Sequence, residues 1–176
     1  GKPLARTAVK LLNVEGEEVA LGEAGDICVR GPQVMKGYLR NPEETSNTIR
    51  NGWLHSGDLG RFDDEGYLYI VDRKKDMIIR GGENIYPIEI EEVLYQRQEI
   101  LEAAVVGIPH EVYGEVPKAF VVLKEGQVLT ETDILNYMKT QLAKYKVPAE
   151  VQFIASLPRN ASGKVLKHTL RPTQNV

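Results

Sequence analysis

The sequence predicts an α+β chain in two modules: a mostly β first part, then a short sheet with helices packed on it. Three observations carry this reading. Short β-rich runs fill the chain before residue 72, an unbroken run of charge occupies residues 72–76, and strand-like and helix-like periodicities interleave after it. At 176 residues the chain has room for one average domain or two small ones, and 42% hydrophobic residues suffice to bury a core.

Residues 8–12 and 26–30 are strand-like runs separated by the Gly-rich, acidic stretch 15–25. Asn41-Pro42 sets an N-cap before a Pro at the first helical position and predicts one short helix over 42–49. After Gly52, residues 53–71 read as two strands folded about the turn Asp63-Asp64-Glu65-Gly66, with Tyr67, Tyr69 and Val71 alternating against Leu68 and Ile70. The charged stretch Asp72-Arg73-Lys74-Lys75-Asp76 interrupts both patterns and is read as the boundary, giving modules over 1–71 and 77–176.

The second module opens with an apolar strand over 77–79, the turn Gly81-Gly82, and a helix launched at Pro87 whose Ile90, Val93 and Leu94 share one face. Two strongly β-forming runs follow, 103–108 and 119–123. Thr130 with Asp133 three residues later makes a weaker version of a capping box, opening a helix with Ile134, Met138 and Leu142 at i, i+4, i+8. Residues 151–154 read as a strand, and Ser162 as the cap of a last helix or turn reaching Leu170.

Overall charge is nearly balanced, 22 Lys+Arg against 25 Asp+Glu, so nothing points to a nucleic acid as partner. The balance is uneven along the chain. Residues 137–176 carry seven cations against the single anion Glu150, a basic end that must face water or something anionic. Cys28 is the only cysteine, which excludes an intrachain disulfide and fits a reducing, cytoplasmic setting. The apolar runs fall far short of the about 20 residues that span a bilayer. The opening Gly-Lys-Pro-Leu-Ala-Arg lacks an initiator Met and an apolar signal core, and reads as the start of a fragment.

Several constellations are rejected. Around Ser162-Gly163-Lys164-Val165 the first glycine and the magnesium-binding hydroxyl of a phosphate loop are missing. His55, His110 and His168 have no metal-ligand spacing, and no metal site is predicted. Two residues invite chemistry. Pro158, Asn160, Ser162 and Gly163 form a turn-rich presentation able to hold the Lys164 ammonium where a transferring phosphoryl oxygen needs charge. Asp58, in His55-Ser56-Gly57-Asp58, is either a turn residue or a carboxylate for the hydroxyls of a ribose.

Four ordered stretches resemble the adenylate-forming superfamily of acyl-CoA synthetases, 4-coumarate ligases, firefly luciferase and peptide-synthetase adenylation domains. They are Gly52-Trp53-Leu54-His55-Ser56-Gly57-Asp58-Leu59, Gly66-Tyr67-Leu68-Tyr69-Ile70-Val71-Asp72-Arg73, residues 79–91 with Gly81-Gly82-Glu83-Asn84-Ile85-Tyr86-Pro87, and residues 157–167 with Ser162-Gly163-Lys164. The resemblance covers essentially the whole chain. It implies the β-rich C-terminal edge of a large AMP-binding domain over 1–71, a hinge at 72–76, and a small lid domain over 77–176.

The implied reaction has two steps: a carboxylate attacks the α-phosphate of ATP to give an acyl-adenylate and pyrophosphate, then the thiol of coenzyme A displaces AMP. By the resemblance, Asp58 holds the ribose hydroxyls, Arg73 and Asn84 lie at the nucleotide, and Lys75 is the hinge. Gly81 and Gly82 border the coenzyme A channel, and Lys164 is the mobile catalytic lysine that also meets the nucleotide phosphate. Where many relatives carry Lys this chain has Ile79, with Arg80 as the neighbouring substitute. The Gly-Gly-Glu-Asn-Ile-Tyr-Pro wording favours a fatty acid as substrate. The family's phosphate loop and the glutamate that binds Mg2+ precede the first residue here, so the chain alone is expected to be inactive. A carrier-protein-loading ligase and a non-catalytic binding module are the alternatives.

Overall fold

The computed structural model describes residues 1–172. The chain divides into two compact units, Gly1–Lys75 and the residues from Asp76 onward, and the architecture is α+β, with a five-stranded sheet in each.

The first unit holds β1 (Ala8–Leu12), β2 (Gly25–Arg30), α1 (Pro42–Thr48), β3 (Ile49–Arg50), β4 (Trp53–Phe62) and β5 (Leu68–Arg73). Every pairing is antiparallel. β1 pairs with β2 and β2 with the long β4, which also carries β3 at its start and β5 at its end. Helix α1 begins as its sequence dictates: the Asn41 side chain accepts from the Glu44 amide, 3.0 Å, and Pro42 fills the first turn. The turn over Asp63 is likewise local chemistry, its carboxylate accepting from the amides of Glu65 and Tyr67.

The charge run at 72–76 is not all boundary. β5 continues through Asp72 and Arg73, whose register places Arg73 opposite Asp58 and Asp72 opposite Leu59. Asp72 is buried and accepts from the Arg73 amide. A charged pair across two strands satisfies itself, so charge does not end the strand there. Only Lys74–Asp76 leaves the ladder, as one 3-10 turn.

The second unit contains β6 (Ile78–Arg80), β7 (Glu83–Ile85), α2 (Pro87–Tyr95), β8 (Ile100–His110), β9 (Gly114–Leu123), α3 (Glu131–Gln141) and β10 (Glu150–Phe153). β8 and β9 pair antiparallel along their length, β10 joins β9 in parallel, and β6 meets β9 at Arg80 opposite Gly114. Strands alternate their side chains between two covered faces, which is why β8 and β9 read as continuous apolar runs. Ala103, Val105, Ala119 and Val121 pack with Ile90 and Leu94 of α2 and Ile134 and Met138 of α3. Ala104, Val106, Phe120 and Val122 face the other way and are covered by Leu157, Ile154, Val165 and Leu170. Helix α3 starts on a complete capping box between Thr130 and Asp133.

At the end of the chain the turn forms and the helix does not. Ser162 caps no helix: only a 3-10 turn, Lys167–Thr169, forms after it. Val165 and Leu170 are partly buried on the second face, and this extended cover leaves no residues for a helical run. β3 and β7, two and three residues long, carry too little pattern to be read in advance.

Candidate functional site

Asp58 and Arg73 come together by register. They are cross-strand partners on β4 and β5, and Arg73 Nε lies 2.9 Å from Asp58 Oδ1. Gly57, at φ +76°, supplies the left-handed step that turns the chain into Asp58, and Ser56 Oγ accepts from the Asp58 amide at 3.1 Å. The Asp58 backbone is thus held by its own turn, and its carboxylate by the neighbouring guanidinium.

Beside this pair lies a cluster that spacing along the chain does not announce. His55 is not a simple surface residue: Cys28 and His55 are cross-strand partners 27 positions apart, and Asp26 lies two residues before Cys28 on β2. His55 Nδ1 is 3.0 Å from Asp26 Oδ2 and 3.3 Å from Cys28 Sγ, and the same carboxylate oxygen takes the Lys74 ammonium at 3.0 Å. Asp26 is 4% exposed and its Oδ1 is buried without a hydrogen-bond partner. Burial first, and the Asp26 charge second, push the Cys28 thiol up to about 11.

A thiol, an imidazole and one carboxylate do not fit Mg2+, which takes hard oxygen ligands. The Asp26 charge is already met by Lys74, and the cations of Lys10 and Arg50 also act on the thiol. The cluster fits a structural ion pair that ties Lys74, the first residue beyond β5, to β2.

In the second unit, Gly81 and Gly82 form the two-residue turn between β6 and β7, with Arg80 opposite Glu83. Their φ angles are +59° and +92°, and a hairpin turn with both residues left-handed is the one that glycine favours. Space is not the constraint, since a Cβ on Gly82 would meet nothing within 4 Å. Asn84 is exposed on β7, opposite Ile79. Arg80 is engaged: it donates to the Tyr145 carbonyl at 2.7 Å and its guanidinium lies 4.9 Å from the centre of the Tyr113 ring. The Gly81 amide donates to the Tyr113 carbonyl, which ties the same turn to the β8–β9 hairpin.

Lys164 is exposed in a closed loop. Its backbone is bonded at both polar atoms to one residue: the Lys164 amide donates to Asn160 Oδ1, 2.9 Å, and the Lys164 carbonyl accepts from the Asn160 amide, 3.0 Å. Asn160 Oδ1 also accepts from the Ser162 amide and hydroxyl, and the Gly163 amide donates to the Asn160 carbonyl. Arg159 braces the outside of the loop. It donates to the Gly163 carbonyl at 2.5 Å, pairs with Glu102 of β8, and bridges to Val165. The pairing of Arg159 with Glu102 carried no signal in the sequence, because a contact 57 positions apart follows from the tail crossing β8.

Two family models match: "AMP-binding enzyme" over residues 1–39 and "AMP-binding enzyme C-terminal domain" over residues 89–164, the latter ending on Lys164. The chain belongs to the adenylate-forming, AMP-binding enzyme family and corresponds to its C-terminal region. Within this family it is 50% identical over 171 residues to a 2-succinylbenzoate–CoA ligase of Bacillus cytotoxicus, covering 97% of the chain and 35% of that protein. It is 52% identical over 159 residues to the 3-[(3aS,4S,7aS)-7a-methyl-1,5-dioxo-octahydro-1H-inden-4-yl]propanoyl:CoA ligase of Rhodococcus jostii, covering 90% and 31%. Among solved structures, o-succinylbenzoate CoA synthetase from Bacillus subtilis with its acyl-adenylate intermediate matches with a TM-score of 0.90 at 42% identity, over 99% of this chain and 35% of that one. The same enzyme is known with ATP and a magnesium ion, where the TM-score is 0.87 at 43% identity, over 97% and 35%. The chain therefore spans about a third of the length of these family members. Among the described residues no helix is long and apolar enough to cross a membrane.

Proposed function

We propose that this chain is the C-terminal portion of an ATP-dependent acid–coenzyme A ligase, acting in the cytoplasm. The observation that carries the reading is the exposed Lys164 on a loop closed at both of its backbone polar atoms. A fixed backbone under a long cationic side chain delivers positive charge to a defined point, which is what transfer at the α-phosphate requires. The carboxylate oxygen attacks that phosphorus, the bond to the bridging oxygen breaks, and pyrophosphate leaves. Lys164 stabilises the charge gathering on the phosphoryl oxygens. In the second step the thiol of coenzyme A, its proton passing to solvent, attacks the acyl carbon, and the acyl–oxygen bond breaks to release AMP.

Asp58 and Arg73 form the nucleotide end of the site in this proposal: the carboxylate receives ribose hydroxyls and the guanidinium orients it. Asn84 adds an amide near the nucleotide. Lys75, within the single turn that leaves the β5 ladder, is the residue about which the small domain, running from residue 77, swings between the two steps. Gly81 and Gly82 border the coenzyme A thiol's approach. Mg2+ accompanies ATP, and no residue described here is assigned to it.

The acid is left to experiment. The Gly81-to-Pro87 wording favours a fatty acid, while the relatives named above act on 2-succinylbenzoate and on a bicyclic propanoate. Pyrophosphate release by the full-length protein, measured against a panel of aliphatic and aryl acids with free coenzyme A or a carrier protein as acceptor, tests the proposal. Acid-dependent release with transfer to free coenzyme A is the expected result. Release without any acid dependence, or transfer to a carrier protein alone, contradicts it. The present chain by itself should give background ATP–pyrophosphate exchange.

A further inference from the structure

We infer that Asn160 is a positioning residue for Lys164, and that Arg159, held by Glu102, is the strut that keeps the loop in place; the inference rests on the role proposed for Lys164. The loop from Pro158 to Val165 starts and ends on the covered second face of the sheet, at the buried Leu157 and the partly buried Val165. Between those two anchors the backbone leaves the core and would be mobile without internal bonds.

Asn160 supplies them. Its side-chain oxygen takes three donors, the Ser162 amide at 3.1 Å, the Ser162 hydroxyl at 2.8 Å and the Lys164 amide at 2.9 Å. Its backbone closes the ring by donating to the Lys164 carbonyl at 3.0 Å and accepting from the Gly163 amide at 2.9 Å. Gly163, at φ +82°, makes the left-handed step the ring needs.

Arg159 then fixes the ring against the sheet. One guanidinium nitrogen donates to the Gly163 carbonyl at 2.5 Å and the other pairs with the Glu102 carboxylate on β8. Neither Asn160 nor Arg159 touches the nucleotide in this arrangement. Their effect passes through the Lys164 backbone, so it should fall on the step that uses the ammonium and spare the step that does not. A misplacement of about 1 Å costs on the order of 100-fold in rate.

The test uses two readouts. On this chain, hydrogen exchange of the Lys164 amide is compared among wild type, Asn160→Ala and Asn160→Asp; the alanine should exchange at least about tenfold faster, and the aspartate, which accepts the same amides, should restore protection. In the full-length protein, Asn160→Ala should lower kcat for adenylation roughly 10- to 100-fold with little change in KM for ATP, and leave coenzyme A transfer from a preformed adenylate intact. Arg159→Ala should act in the same direction and Glu102→Gln more weakly. Unchanged Lys164 amide exchange in Asn160→Ala, or equal loss in both half-reactions, overturns the inference. Lys164→Ala in the same assays separates the two ideas. If it leaves adenylation intact, the proposed role of Lys164 fails even where the amide exchange shows that Asn160 orders the loop.

Discussion

Asp26 serves three neighbours from a position only 4% exposed: the Lys74 ammonium, the His55 ring and, through its charge, the Cys28 thiol. With a thiol pKa of about 11, roughly one molecule in a thousand is ionised at pH 8, and the sulfur is fully buried besides. Disulfide-exchange labelling of the folded chain should therefore be more than about 100-fold slower than in urea, and labelling at the unfolded rate would contradict the burial. Asp26→Asn removes the second of the two causes, so the thiol pKa should fall, while the loss of the partly exposed Lys74 pair should cost about 2 kcal/mol. None of this was legible from the residues one by one. His55 reads as a surface histidine until the register of β2 against β4 brings positions 26, 28 and 55 together.

At the scale of elements, local chemistry was the most legible part. The Asn41 cap, the Asp63 turn and the Thr130–Asp133 box each work through groups four residues apart or fewer, so the sequence contains the whole interaction. The box also makes a pH prediction. Hydrogen bonds from the Thr130 hydroxyl, then from its amide, hold the Asp133 carboxyl below its ordinary value of 3.8. A lowered folded value means that the contribution is fully present above the ordinary carboxylate range and is lost as pH falls through the folded value. Thr130→Ala should lower the midpoint of thermal unfolding by roughly 4 degrees at neutral pH and by less in acid, once pH falls through the folded Asp133 value. An equal drop at both pH values would assign the effect instead to the Thr130 hydroxyl accepting from the Asp133 amide, a bond that does not titrate. The short strands β3 and β7, and the longer reach of β8 and β9 beyond their apolar centres, were hidden because ladder partners, not side-chain pattern, extend them.

For the molecule as a whole, the two-sided burial of the second sheet explains the basic end. Leu157, Val165 and Leu170 make the tail a cover for one face, and acidic residues of the same unit meet several of the cations, Lys167 by Glu91 at 2.7 Å, Lys146 by Glu89 and Arg159 by Glu102, while Lys164 stays exposed. Leu157→Ala should cost about 3 kcal/mol in the second unit, measured by urea unfolding; a loss near zero would mean that the tail is not part of that core. The central claim concerns Lys164, and separating the two half-reactions of the full-length protein tests it most directly. With Lys164→Ala, adenylate formation should fall by at least about 100-fold while coenzyme A transfer to a preformed adenylate stays near the wild-type rate. Equal damage to both steps, or to neither, would contradict the account.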